Sequence, residues 1–273
     1  MRKEWVIYSA VIIFLLSGCS AGTWKFEETN DYFTLFNKDS DYTQGVRLQH
    51  DTEDLSWAVG QRIYTPVHKK LDPPLEDERP YAGYAYGEVN RIVPYDSENT
   101  LFYGAELGIL GPGSYGKEAQ CGVHALLGQG CPAGWSHQLK NEPGVTVRGG
   151  SINRVPVDFW FLQGENYRGV TVEAGNISTA IHVDSLVTWG RGLLFYYAGP
   201  TVHIVGRNAL LDGNTFRDSP SVDSKWLWAE MKGGIGARLG KYSISWFIAA
   251  TTPQFSEQGT SYNYGGISIG WIN

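Results

Sequence analysis

From Leu227 to Leu239 the chain alternates with a period of two. Leu227, Ala229, Met231, Gly233, Ile235, Ala237 and Leu239 are apolar or small, and between them stand Glu230, Lys232, Gly234, Gly236 and Arg238. A period of two is that of a β-strand, whose successive side chains point to opposite faces. The charges in mid-strand narrow the choice further. Soluble sandwiches turn their apolar face inward and use shorter strands, whereas a membrane barrel turns that face to lipid and the charged one to a polar lumen. Tyr242, Ile244, Trp246, Ile248 and Ala250, opposed by Ser243, Ser245 and Thr251, repeat the pattern. Leu101, Tyr103, Ala105, Leu107 and Ile109 do so again, with Glu106 on the other face.

Carried along the chain, this alternation predicts an all-β fold: a single twelve-stranded antiparallel transmembrane β-barrel. The expected strands are 23–29, 42–51, 55–64, 81–93, 100–110, 145–163, 168–176, 178–189, 194–205, 226–239, 242–251 and 262–272. Their even number is what a single-chain bacterial barrel uses. The 34 glycines, 16 tyrosines and 10 tryptophans suit short strands with aromatic girdles. A net charge of −6 with scattered basic residues excludes a nucleic-acid partner. No repeat and no second domain is visible, and residues 210–224, rich in Asp, Asn, Gly and Pro, read as a long surface loop. Between strands five and six, residues 108–145 break the alternation and are expected to form a long, partly helical loop with a helix near 120–127. Loops of that length in compact domains are usually functional or disordered.

Residues 1–18 read as a signal peptide of lipoprotein type. Arg2 and Lys3 precede an apolar run over 5–16, and Leu16-Ser17-Gly18-Cys19 is similar to the lipobox in which the cysteine is lipidated. An ordinary secretory leader that happens to hold a cysteine is the plainer alternative. Either way the chain is exported, leaving 19–273 as the barrel domain, without an apolar run long enough for a spanning helix. Cys121 and Cys131 are then a pair in an oxidising compartment, where a disulfide is expected around His124. A metal reading of this pair needs further Cys or His ligands at the right spacing.

Three groups are candidates for chemistry. Asn30 and Asp31, with Asp39, Asp41 and Thr43 beyond them, read either as turn residues or as oxygen donors for a hard cation. If Tyr42, Val46 and Leu48 face outward, Thr43, Gly45 and Arg47 point to the lumen. Lys69, Lys70 and Arg79 lie in a charged connection that is either solvated or a clamp for an anionic headgroup. His124 is the third, an imidazole suited to taking a proton from water. No GxSxG motif is present, so attack by water is simpler than serine nucleophilic catalysis.

Several of these motifs occur together in one known family. Asn30-Asp31, Asp41-Tyr42-Thr43-x-Gly45, Ile63-Tyr64-Thr65-Pro66 and Arg79-Pro80-Tyr81-Ala82-Gly83 are followed by Gly108-Ile109-Leu110-Gly111-Pro112, Gln120-x-x-x-His124 and Gly134-Trp135-x-x-Gln138-Leu139-x-Asn141-Glu142-Pro143. In this order the chain strongly resembles the outer-membrane lipid A 3′-O-deacylase family. The resemblance implies a calcium-dependent hydrolase that removes the 3′-linked acyloxyacyl group of lipid A in the bacterial outer membrane. The chain itself is expected to be a monomer. His124 would be the base. Asn30, Asp31 and Thr43 would surround the ester and the Ca2+, with Asn30 and Asp31 as its ligands. Lys69 and Lys70 fall where that family's headgroup-binding basic residues lie, and Arg79, from the same charged connection, is expected to join them in binding the lipopolysaccharide headgroup. One departure stands out: a branch of the family carries a glutamate where this chain has Gly130, beside Gln129. Two further readings follow, a weakened or inactive barrel of the same frame and a phospholipase acting on glycerophospholipids.

Overall fold

Twelve antiparallel strands close into a barrel in the computed structural model, which describes residues 22–34, 41–159, 162–190 and 192–273. The strands are β1 (Thr23–Asn30), β2 (Asp41–Asp51), β3 (Leu55–Thr65), β4 (Ala82–Pro94), β5 (Asn99–Leu110), β6 (Glu142–Phe159), β7 (Leu162–Gly175), β8 (Ser178–Trp189), β9 (Leu194–Asn208), β10 (Leu227–Leu239), β11 (Tyr242–Thr251) and β12 (Tyr262–Ile272). Each pairs with its neighbours in sequence, and β1 closes the ring on β12 with Glu27 opposite Ser268. The leader, Cys19 and Asp39 lie outside the described residues.

Register puts the two kinds of side chain on opposite surfaces. Glu88, Glu106 and Thr146 stand side by side across β4, β5 and β6, and Arg148 faces Glu173 across β6 and β7. These residues point into the lumen, where ion pairs link non-adjacent strands. Arg47 holds both carboxylate oxygens of Glu88 at 2.8 and 2.6 Å, and Arg148 bridges Glu88 at 2.9 Å and Glu173 at 3.0 Å. The outward surface is apolar and open, with Leu107 60%, Met231 58% and Val147 54% exposed. A surface of this kind is stable against lipid and not against water. The substitution Val147→Arg is expected to cost about 2–4 kcal/mol of stability in lipid, if the residue lies near mid-bilayer. Urea unfolding in vesicles, followed by heat-dependent gel mobility, measures it.

Short connections, such as 52–54, 95–98 and 240–241, lie at one end, and the long ones, 66–81, 111–141, 209–226 and 252–261, lie at the other. Outer-membrane barrels place long loops outside the cell and short turns in the periplasm. The long end therefore faces outward.

Three expectations change. The stretch 145–163 is not one strand: β6 ends at Phe159, which pairs with Leu162, so β7 begins well before residue 168. Phe159-Trp160-Phe161-Leu162 has no Gly, Pro, Asn or Asp to mark a turn, which hid the break. The loop 209–226 is not wholly superficial. Its helical turn Ala209–Asp212 buries Ala209, Leu210 and Leu211. The third change concerns β2, where the register shifts between Tyr42 and Gln44. This bulge at Thr43 reverses the facing of the strand's first residues. Tyr42 points into the lumen, against Tyr64 and Tyr264, and Thr43 points outward. Gly45 and Arg47 face the lumen as expected.

Glu142, at the head of β6, secures the loop 209–226. Its carboxylate accepts hydrogen bonds from the main-chain N–H of Thr215 and Phe216 and from the amides of Asn176 and Asn214. Glu142→Ala is expected to leave the barrel folded and to speed cleavage within 213–225 in limited proteolysis with an externally added protease.

Candidate functional site

The site is built on the outer wall of the barrel at the long-loop end, not in the lumen. After β1 the chain makes a 3-10 turn, Asp31–Phe33, and bends over β12. The Trp246 indole N–H donates to the Phe33 carbonyl at 3.1 Å. A Cβ on Gly265 would come within 2.5 Å of that carbonyl oxygen, so only glycine admits this approach. Trp246, opposite Ile235 and Ile267, belongs to the outward face.

The second side of the site is a helix, α1 (Gly116–Leu126), lying in the β5–β6 connection and beginning earlier than the expected 120–127. It packs on the outward faces of β3 and β4. A Cβ on Gly83 would lie 3.1 Å from the Gly116 Cα, so two glycines allow strand and helix to touch. Ile63, Tyr81 and Trp135 form a small buried core there, with Ala119 and Cys121 against it. The Trp135 indole N–H donates to Gln120 Oε1 at 2.7 Å, which fixes one face of α1. Burial pushes the Tyr81 hydroxyl up to about 12, so it remains a neutral donor to the Lys69 carbonyl, 3.2 Å away.

Between the Asp31 turn and α1 lies a cleft of about 540 Å³, walled by Tyr32, Lys69, Lys70, His124, Gln129 and Gly130, with residues 131–133. Asp31 is buried, and its carboxylate lies 3.8 Å from the Lys69 ammonium. Asn30 Oδ1 accepts from the Tyr32 N–H at 2.9 Å, and the Thr34 hydroxyl donates to the Asp31 carbonyl at 3.1 Å. Gln129 donates to the Tyr32 hydroxyl at 2.9 Å, spanning the cleft. His124 Nδ1 lies 2.8 Å from the Gly130 carbonyl oxygen, and Cys121 is disulfide-bonded to Cys131.

Of the residues singled out from sequence, His124, Lys69 and Lys70 therefore share one wall, and Asp31 joins them through its ion pair. Asn30 caps the turn that presents Asp31. Thr43 sits on the same outward side, buried, its hydroxyl 2.6 Å from that of Thr65, but it does not line the cleft. Arg79 stands apart: it is buried with its guanidinium over the Tyr64 ring at 4.3 Å, and it lines a different cavity near Pro73 and His137. Tyr32 and Gln129 were not singled out from sequence. Their only signal is adjacency, Tyr32 to Asp31 and Gln129 to the departure at Gly130. Among the described residues, no three His, Cys, Asp or Glu side chains converge as a metal-binding group.

An apolar-banded barrel with a polar cleft on its outer wall defines an integral outer-membrane protein with a site at the level of the membrane's outer face. The comparisons give the family. The model described as "Outer membrane protein LpxR" matches residues 6–272, and the chain belongs to that family. Among solved structures it is similar to LpxR from Salmonella typhimurium, with 20% identity, a TM-score of 0.80, and coverage of 92% of this chain and 100% of that one. Much weaker likenesses are the KdgM porin, at 6% identity, TM-score 0.44 and coverage of 92% and 98%, and the translocator domain of autotransporter NalP from Neisseria meningitidis, at 10%, 0.37, and 99% and 95%. No curated protein matches the chain.

Proposed function

We propose that this cleft hydrolyses an ester of lipid A, releasing the 3′-linked acyloxyacyl group. The observation that carries the reading is the position of His124: an imidazole beside Lys69 and Lys70, on the lipid side of the wall at the long-loop end. A glycolipid in the outer leaflet reaches such a cleft without leaving the membrane. The two ammonium groups suit a phosphorylated headgroup. Val123 and Leu126 on α1, and Leu127 just after it, are exposed next to His124 and continue the apolar surface that an acyl chain would follow.

In the reaction, His124 takes a proton from water as the water oxygen adds to the ester carbonyl. The tetrahedral intermediate collapses with cleavage of the bond to the sugar oxygen, and the imidazolium returns its proton to that oxygen. The products are the acyloxyacyl carboxylic acid and a free sugar hydroxyl. Calcium is the cofactor we propose. The buried Asp31 carboxylate and the Asn30 amide oxygen are hard donors of the type it takes and would hold it. When bound, the ion supplies positive charge for the developing oxyanion.

The same two lysines would also accept a glycerophospholipid headgroup, which makes a phospholipase the competing reading. Purified protein in vesicles containing either lipid A or glycerophospholipid, with calcium or chelator, separates the two. Calcium-dependent acid release from lipid A alone supports the proposal, and release from phospholipid alone replaces it.

A further inference from the structure

The ring nitrogen of His124 that does not face water needs a partner, because a base works only when its other nitrogen holds the proton and the ring is kept in orientation. Gly130 has no side chain to do this, yet its main-chain carbonyl oxygen lies 2.8 Å from His124 Nδ1. A carbonyl oxygen only accepts hydrogen bonds. The contact therefore requires the proton on Nδ1 and leaves the Nε2 lone pair of a neutral imidazole available to water.

The carbonyl sits in a segment pinned from several sides. The Gln129 N–H donates to the His124 carbonyl at 2.7 Å and the Gln129 side chain reaches Tyr32, while the Ala133 N–H donates to the Lys69 carbonyl at 2.9 Å. Gly128 makes the reversal with φ of +72°, a conformation costly for other residues. The covalent member is the disulfide from Cys121, one turn before His124 on α1, to Cys131, the residue after Gly130. We infer that the Cys121–Cys131 disulfide and the Gly130 carbonyl together are the positioning device of His124, selecting its Nδ1–H form and aiming Nε2 into the cleft. This inference rests on the proposed hydrolase for its catalytic meaning, although the tautomer it specifies is a property of the protein alone.

The test compares the wild type with Cys121→Ser/Cys131→Ser, both refolded as intact barrels and checked by heat-dependent gel mobility. In ring-¹⁵N-histidine samples, His124→Gln identifies the His124 signals among those of the six histidines. In the wild type, the ¹⁵N shifts are expected to report Nδ1–H. In the double variant they are expected to move toward the Nε2–H form that imidazole favours in water, and kcat on lipid A to fall roughly 10- to 100-fold with KM little changed. An unchanged tautomer and an unchanged kcat in a folded double variant would overturn the inference. If the wild type releases no acid from lipid A but the tautomer still follows the disulfide, the positioning device stands and the hydrolase reading fails.

Discussion

Replacing His124 with alanine is expected to lower kcat/KM for release of the acyloxyacyl group by about 10²–10⁴-fold, the range in which a positioned general base contributes. The loss should lie in kcat, because nothing in the headgroup contacts proposed for Lys69 and Lys70 depends on the imidazole. The fold should be untouched. His124 is only half-buried, its imidazole bonds to a main-chain carbonyl, and the core beneath α1 is made by Ile63, Tyr81 and Trp135. Acid release measured alongside heat-dependent gel mobility separates a lost base from a lost barrel. Equal rates in wild type and variant would remove His124 from the reaction.

The other large effect is on stability and lies far from the cleft. Glu88 is nearly fully buried and accepts from Arg47, Arg148 and Asn90. Glu88→Ala leaves two guanidinium groups facing each other with their shared counter-charge removed. Breaking a buried ion pair from one side costs about 3–5 kcal/mol. The lower end is expected here, because the Arg47 and Arg148 side chains are 26% and 20% exposed and water offsets part of the loss. Glu88→Gln keeps the side-chain volume and one accepting oxygen but loses the charge and the second acceptor, and should cost less than the alanine. Urea titrations in vesicles, read by the midpoint at constant slope, rank the three proteins. A Glu88→Ala barrel as stable as wild type would mean that lumen water screens these charges as fully as bulk water.

Much of the barrel was legible because its two surfaces meet opposite media. The alternation over 227–239 shows this, and the observed β10 starts one residue later than the expected 226–239. Reading failed where a local irregularity changes the phase. The bulge at Thr43 swaps the facing of Tyr42 and Thr43 without changing the apparent alternation, and no turn residue separates the end of β6 from the start of β7. The lumen pairs were equally hidden, since Arg47, Glu88 and Arg148 are distant in sequence and meet only once the ring closes. The cleft was legible in part. His124, Lys69 and Lys70 were singled out individually, but their meeting place was not. Ile63 lies under α1, with Ala119 and Cys121 packed against it and Gly83 touching Gly116, a contact between distant segments that the strand pattern does not show. Arg79 was drawn into the candidate set by its charge, while in the fold it stacks on Tyr64.

The most direct test of the central claim is the mass of lipid A from a Gram-negative cell producing this chain. With the wild-type barrel in the outer membrane, a species lighter by one 3′-linked acyloxyacyl group is expected, and with His124→Ala that species is absent. Unmodified lipid A, in cells whose outer membrane holds the folded wild-type barrel and calcium, would contradict the claim.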